Sequence, residues 1–168
     1  MINHLVKIIS VDGYYSEEQA KSLTAAIFNL TYIESDLGKQ IENFNLVPPD
    51  ANKQFSEILN TTIEVDEESG VFRLPANFIH FEEFDDLNEW VFAVALQKST
   101  FNVFEHLSGV QNAVQGYKNI NYRNLFEWDH RINYLLEPGD GILFRPWLFH
   151  SFDQGLVQIF RLKEKDDN

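Results

Sequence analysis

The sequence contains no cysteine. Disulfides, thiolate zinc sites, iron–sulfur clusters and a cysteine nucleophile are excluded together, and any metal has to be held by histidine and carboxylate. Positive charge is scarce: 13 Lys and Arg stand against 26 Asp and Glu, a formal net charge of −13. A surface of that sign repels phosphate backbones and anionic lipid, so neither nucleic acid nor membrane is expected as a partner. No apolar run approaches the roughly 20 residues that cross a bilayer. The start MINHLVKIISVDGYY has no long apolar stretch after a basic beginning, and a cytoplasmic location is expected. A G-x-S-x-G elbow and a glycine-rich phosphate loop are absent, which removes acyl transfer and nucleotide hydrolysis. Internal repeats and low-complexity tracts are absent too, so the 168 residues read as one domain, large enough for a full core.

Aromatic residues are abundant, with 15 Phe, 6 Tyr and 3 Trp, and favour β-structure over a helix bundle. Residues 5–11 (LVKIISV) read as a short strand ended by Asp12-Gly13. Ser16 then stands as N-cap with Gln19 in capping-box position, and Ala20, Leu23, Ile27 and Leu30 make one apolar stripe on the helix that follows. After Pro48-Pro49-Asp50, the stretch ANKQFSEILN predicts a second short helix with Phe55, Ile58 and Leu59 on one face.

From residue 61 the text turns to β-branched and aromatic runs: TTIEV, GVFRL, NFIHFEE, EWVFAVAL, TFNVFEH, RINYLL, GILFRPWLFH and LVQIFRL. Such a series predicts a sandwich or barrel, mainly β with N-terminal helices. The segment Glu137-Pro138-Gly139-Asp140-Gly141 is the strongest turn signal, a tight corner between two strands. The expected division is a strand-and-helix wrap over 1–60, a β core over 61–162, and a disordered tail KEKDDN over 163–168.

Histidines occur at positions 4, 80, 106, 130 and 150. In FIHFEE, read as a strand, His80 and Glu82 are two apart and project from the same face as adjacent metal ligands. His150 ends the run GILFRPWLFH after the turn, near the rim of that strand, and is the candidate third ligand. Two histidines and a carboxylate on one face of an octahedron leave positions open, which suits non-haem iron(II). The alternative reading of the same pattern is satisfied or solvated histidines. His106, in FEHLSG, reads either as a substrate-side acid or base or as a solvated ring. Asp129 and His130 alternate across a strand, which favours a structural role for His130. Glu82, Glu83, Asp85 and Asp86 lack the central glycine of an EF-hand loop. Trp90, Trp128 and Trp147 read as core, with Trp147 and Phe149 bordering His150.

Taken together over 77–162, the pieces NFIHFEE, EWVFAVALQKSTFNVFEHLSG, LEPGDGILFRPWLFHSF and LVQIFRL resemble the 2-oxoglutarate- and iron(II)-dependent oxygenases, in particular their small prolyl-hydroxylase-like members. The resemblance implies a double-stranded β-helix (a jelly-roll, cupin-like cup) with iron(II) on His80, Glu82 and His150. It also implies 2-oxoglutarate as cosubstrate and hydroxylation of a C–H bond in a small-molecule or peptide substrate. Glu82 stands where Asp is usual in the family. The family's arginine for the far carboxylate of 2-oxoglutarate matches Gly155 in the text of this chain, and Arg161 is the leading substitute because it shares a face with Val157 and Ile159. With residues 151–155 as the turn, Arg161 lies on the order of 16 Å down the strand from the rim. Arg131, Arg145 and Lys98 are the other bases in question, and a site without 2-oxoglutarate is the remaining possibility. The competing function is a non-catalytic or cosubstrate-independent metal-binding jelly-roll. The paired H-x-H and downstream Glu of the usual cupin motif are not in the sequence.

Overall fold

A computed structural model describes residues 8–27, 30, 32–35, 38–41, 47–74, 88–108, 125–153 and 155–165. Strand β1 (Ile9–Val11) leads through Gly13, at φ 67°, into helix α1 (Glu17–Ile27). The start of α1 is the reciprocal cap expected from sequence: the Gln19 amide donates to Ser16 Oγ at 3.0 Å and the Ser16 amide donates to Gln19 Oε1 at 2.8 Å. Ala20 and Ile27 are buried, whereas Leu30 lies beyond the helix and is exposed, so the apolar stripe ends earlier than expected.

Strands β2 (Tyr32–Ser35) and β3 (Gly38–Ile41) form an antiparallel pair, followed by helix α2 (Ala51–Leu59). On α2 the buried positions are Ala51 and Phe55, with Leu59 packed beside them. These are four residues apart and stack along one line, which turns Ile58 outward, 37% exposed, against the expectation from sequence. The helix ends at Asn60 in the left-handed conformation, φ 53°.

The remaining strands are β4 (Ile63–Leu74), β5 (Glu89–Ala95), β6 (Ser99–His106), β7 (Trp128–Leu136), β8 (Gly141–Phe144), β9 (His150–Asp153) and β10 (Gly155–Glu164). They build a seven-stranded sheet of order β1-β8-β5-β10-β4-β3-β2 and a three-stranded sheet of order β7-β6-β9. TTIEV and GVFRL, expected as two strands, are one. The polar break between them is taken up by a register shift opposite Phe160 to Leu162 of β10, so the ladder continues on both sides. GILFRPWLFH, expected as one strand, is two in different sheets. Pro146 cannot donate to a ladder, and the chain turns between Phe144 and His150.

Alternation on the large sheet sorts the side chains into two layers. Val91, Ala93, Ala95, Ile142, Phe144, Val157 and Ile159 face the small sheet's Phe101, Val103, Leu136 and Phe152. On the opposite face Trp90, Phe92, Val94, Leu143, Phe160 and Leu162 are covered by Phe55 of α2 and by Tyr14 and Tyr15. Phe92 is central there, with ring centroids of Tyr14 at 4.9 Å and Phe55 at 4.8 Å. The architecture is a double-stranded β-helix with its helices on the outer face of the large sheet. Residues before 61 do more than wrap it, since β1 and β2 form the sheet's two edges.

The expected corner is present. Gly139 takes φ 98°, the Asp140 amide donates to Glu137 O, and Gly139 and Asp140 bond to both backbone groups of Ala95. The disordered segment expected from 163 is corrected at its start: β10 runs through Glu164, and Lys163 stands between Glu64 and Glu89 on its two neighbours. Charges that read as disorder in the linear text become opposite-sign cross-strand pairs once the strand is central.

Candidate metal and cosubstrate site

β6 and β10 run from the corner end of the cup, where Ser99, Gly139 and Gly155 lie, toward its other end, the mouth. The corner between β8 and β9 sits at the mouth. Leu148 N donates to Arg145 O at 3.1 Å, and His150 opens β9 directly opposite Val103 of β6. His150 is 5% exposed and points into the cup, its ring centroid 4.7 Å from Phe144 and 5.8 Å from Phe101. Its Nδ1 is 2.6 Å from the Leu148 carbonyl oxygen. A carbonyl only accepts, so Nδ1 carries the hydrogen and the lone pair of the neutral ring is on Nε2, the arrangement that second-sphere carbonyls impose on metal-ligating histidines.

Arg161 lies at the same end. It pairs with Val91 of β5, and Val91 pairs with Phe144 of β8, so the three occupy one row across the inner face of the large sheet. Two strand spacings separate Arg161 from Phe144, about 10 Å between Cα atoms, and the Phe144 ring touches that of His150. The depth expected from sequence is therefore corrected. Asp153, the last residue of β9, and Gly155, the first of β10, lie at the corner end beside Ser99, and both His150 and Arg161 are displaced from them toward the mouth. Arg161 is exposed, and the register irregularity opposite it on β4 carries the exposed Asp66 and Glu67.

The other bases are placed elsewhere. At Gly155 a Cβ would come 3.0 Å from Ser99 Cβ and Oγ, so a side chain where the text matched an arginine would require Ser99 to give way. Lys98 is at the corner end and pairs with Glu137 at 3.8 Å. Arg145 is buried on the outer face, its guanidinium 3.7 Å over the Trp90 ring. Nη1 donates to Glu89 O at 2.9 Å and Nη2 to Glu164 Oε1 at 3.3 Å, while Trp90 Nε1 donates to the same Glu164 oxygen at 2.7 Å. Burial lowers the Arg145 pKa, partly offset by the Glu164 carboxylate. For Arg131 the structure gives the backbone position on β7 and nothing of the side chain.

His106 is held away from the cup interior. Its Nε2 is 3.2 Å from Glu127 Oε2 and its Nδ1 is 2.8 Å from Ser108 Oγ. The ring packs edge-on against Trp128, and Trp128 against Phe149. Phe149 precedes the inward His150 and by alternation faces the other way, so the reading of His106 as a substrate-side acid or base gives way to a packed, hydrogen-bonded ring. The His106–Glu127 pair joins β6 to the 3-10 turn before β7, a contact no local motif in the sequence announces.

His80 and Glu82 lie outside the described residues, as does the rest of NFIHFEE. Among the described residues no group of three His, Asp or Glu gathers as a metal centre, and no helix is long and apolar enough to cross a membrane. Of the expected ligands the structure thus describes His150, whose fixed tautomer and burial fit a metal ligand.

No family model and no curated protein matches the sequence. Among solved structures, HygX from Streptomyces hygroscopicus, crystallised with nickel and 2-oxoglutarate, superposes with TM-score 0.55 at 11% identity over 98% of this chain and 85% of its own. SnoN, an alpha-ketoglutarate-dependent epimerase of nogalamycin biosynthesis, superposes with TM-score 0.60 at 10% identity over 95% of this chain and 79% of its own. SnoK, the carbocyclase of the same biosynthesis, gives TM-score 0.60 at 7% identity over 96% and 81%. The chain shares their fold. The jelly-roll read from sequence is therefore the architecture of known non-haem, 2-oxoglutarate-dependent enzymes.

Proposed function

We propose that the chain is a non-haem iron(II), 2-oxoglutarate-dependent oxygenase acting on a small-molecule or peptide substrate and resembling the small prolyl-hydroxylase-like members. In this reading His80, Glu82 and His150 hold the metal and Arg161 holds the cosubstrate. The single observation that carries it is His150, buried and turned into the cup, with Nδ1 committed to Leu148 O so that Nε2 is the nitrogen that would meet a cation. The position of Arg161 on the Phe144 row and the fold shared with HygX, SnoN and SnoK support it.

Bound iron(II) with 2-oxoglutarate supplies oxygen activation for attack on a C–H bond. The chain's own residues supply place and polarity. The apolar walls Phe101, Phe144 and Phe152 exclude water from His150, and the guanidinium of Arg161 offers two parallel donors to a carboxylate. The acidic irregularity opposite Arg161 favours a second reading: a guanidinium engaged by Asp66 or Glu67 leaves a metal-binding cup that takes no 2-oxoglutarate.

Adding iron(II) and then 2-oxoglutarate under anaerobic conditions separates the two. A visible charge-transfer band is expected for the oxygenase. Iron binding without a band supports the second reading, and no iron binding defeats both.

A further inference from the structure

The β8–β9 corner that delivers His150 is tied down on the face of the sheet opposite to the cup. Arg145, the first residue of the corner, inserts its side chain into the outer face. There it lies over Trp90 and bonds the Glu89 carbonyl of β5 and the Glu164 carboxylate of β10. Its guanidinium is also 5.7 Å from the ring of Trp147, in the middle of the corner. The backbone of the same residue accepts from Leu148, and the Leu148 carbonyl in turn accepts from His150 Nδ1. A continuous line of hydrogen bonds therefore runs from Glu164 through Arg145 and Leu148 to the imidazole.

A five-residue corner held only by its ends has several backbone arrangements open to it. This one has to place a single carbonyl within hydrogen-bond reach of one ring nitrogen, and a small displacement there changes both the tautomer and the ring's aim. Pro146 fixes one φ, the Phe104 amide on Phe149 O and the burial of Trp147, Leu148 and Phe149 hold the far half, and the Arg145 anchor holds the near end. A lysine cannot do the same, because the anchor uses a fork: one arm on a backbone carbonyl, the other on a carboxylate, and the flat face on an indole.

We propose that Arg145 is a positioning residue for His150, acting from the far side of the sheet by fixing the corner whose Leu148 carbonyl sets the imidazole's tautomer and direction. The proposal deepens the metal-ligand reading of His150 and rests on it for its consequence, though not for its geometry.

The test uses metal-free protein with isotope-labelled histidine ring nitrogens, with NMR reporting the tautomer of His150 and calorimetry reporting iron(II) affinity. In the native chain the Nδ1–H form is expected. In Arg145→Met it should give way to a mixture with Nε2–H, and iron(II) binding should weaken by about 10- to 100-fold, as for other losses in the shell behind a metal ligand. Arg145→Lys should recover only part of either. Val94→Ala, a loss of packing on the same outer face away from the corner, should lower thermal stability and leave the tautomer as it was. A folded Arg145→Met protein with the native tautomer overturns the proposal. Should that variant not fold, Glu164→Gln is read by the same two criteria. If the native chain binds no iron(II) while Arg145→Met still shifts the tautomer of His150, the oxygenase reading falls and the positioning role stands.

Discussion

Arg161 and Phe144 stand on one row of the large sheet with Val91 between them, although the linear sequence puts Arg161 well past the turn that follows His150. Since the Phe144 ring also packs on His150, an exposed guanidinium residue and a buried imidazole reach the same end of the cup from two different sheets. That convergence gives the functional reading its consequences.

His150→Ala should abolish high-affinity iron(II) binding while the protein stays folded, at some cost in stability because the ring packs on Phe101, Phe144 and Phe152. Calorimetry under anaerobic conditions, with thermal unfolding as the control, checks it. Retained stoichiometric binding would remove His150 from the ligand set.

Arg161→Ala should leave iron(II) affinity unchanged and weaken 2-oxoglutarate by roughly 10- to 100-fold, the equivalent of about 1.5–3 kcal/mol for hydrogen bonds to a charged group. Titration of the iron-loaded protein with 2-oxoglutarate reads the difference. Unchanged cosubstrate affinity would support the reading in which the acidic irregularity on β4 engages the guanidinium.

Stability should depend on the Glu137–Gly141 corner as well as on the core. Gly139→Ala puts a Cβ at φ 98° against the Tyr15 backbone carbonyl, with strain and overlap together costing at least about 1 kcal/mol. Phe92→Ala, emptying the centre of the outer aromatic layer, should cost about 3–5 kcal/mol. Urea unfolding measures both.

Alkaline pH should destabilise the fold. Burial raises the Tyr15 phenol from 10.0 to about 12, and Tyr14 beside it is raised as well. The unfolded chain then loses these protons first, so the stability that the neutral phenols contribute is intact below pH 10 and is lost as pH rises toward about 12. Tyr15→Phe should flatten that decline in urea midpoints measured across the range.

Local chemistry was legible in the sequence and long-range register was not. The capping box at Ser16 and Gln19 and the corner at Gly139 involve a few neighbouring residues whose types dictate the backbone, and both stand as read. GILFRPWLFH looked like one strand because nearly every residue around Pro146 is apolar; the Arg145 anchor, which pins the chain to the large sheet just before it crosses to the other, depends on Trp90 and Glu164 far away in sequence. Arg161 looked too deep for the same reason, since its distance from His150 is set by the pairing of β10 with β5 and of β5 with β8, and no stretch of text contains that. His80 and Glu82, paired by simple strand alternation, are the part of the site that rests on sequence and resemblance.

The measurement that bears most directly on the central claim is a crystal structure grown anaerobically with manganese(II) and 2-oxoglutarate, the metal located by its anomalous scattering. The account requires one ion at about 2.1 Å from His150 Nε2, with His80 and Glu82 completing the protein ligands and the far carboxylate of 2-oxoglutarate on Arg161. An ion bound away from His150, or none, would contradict it.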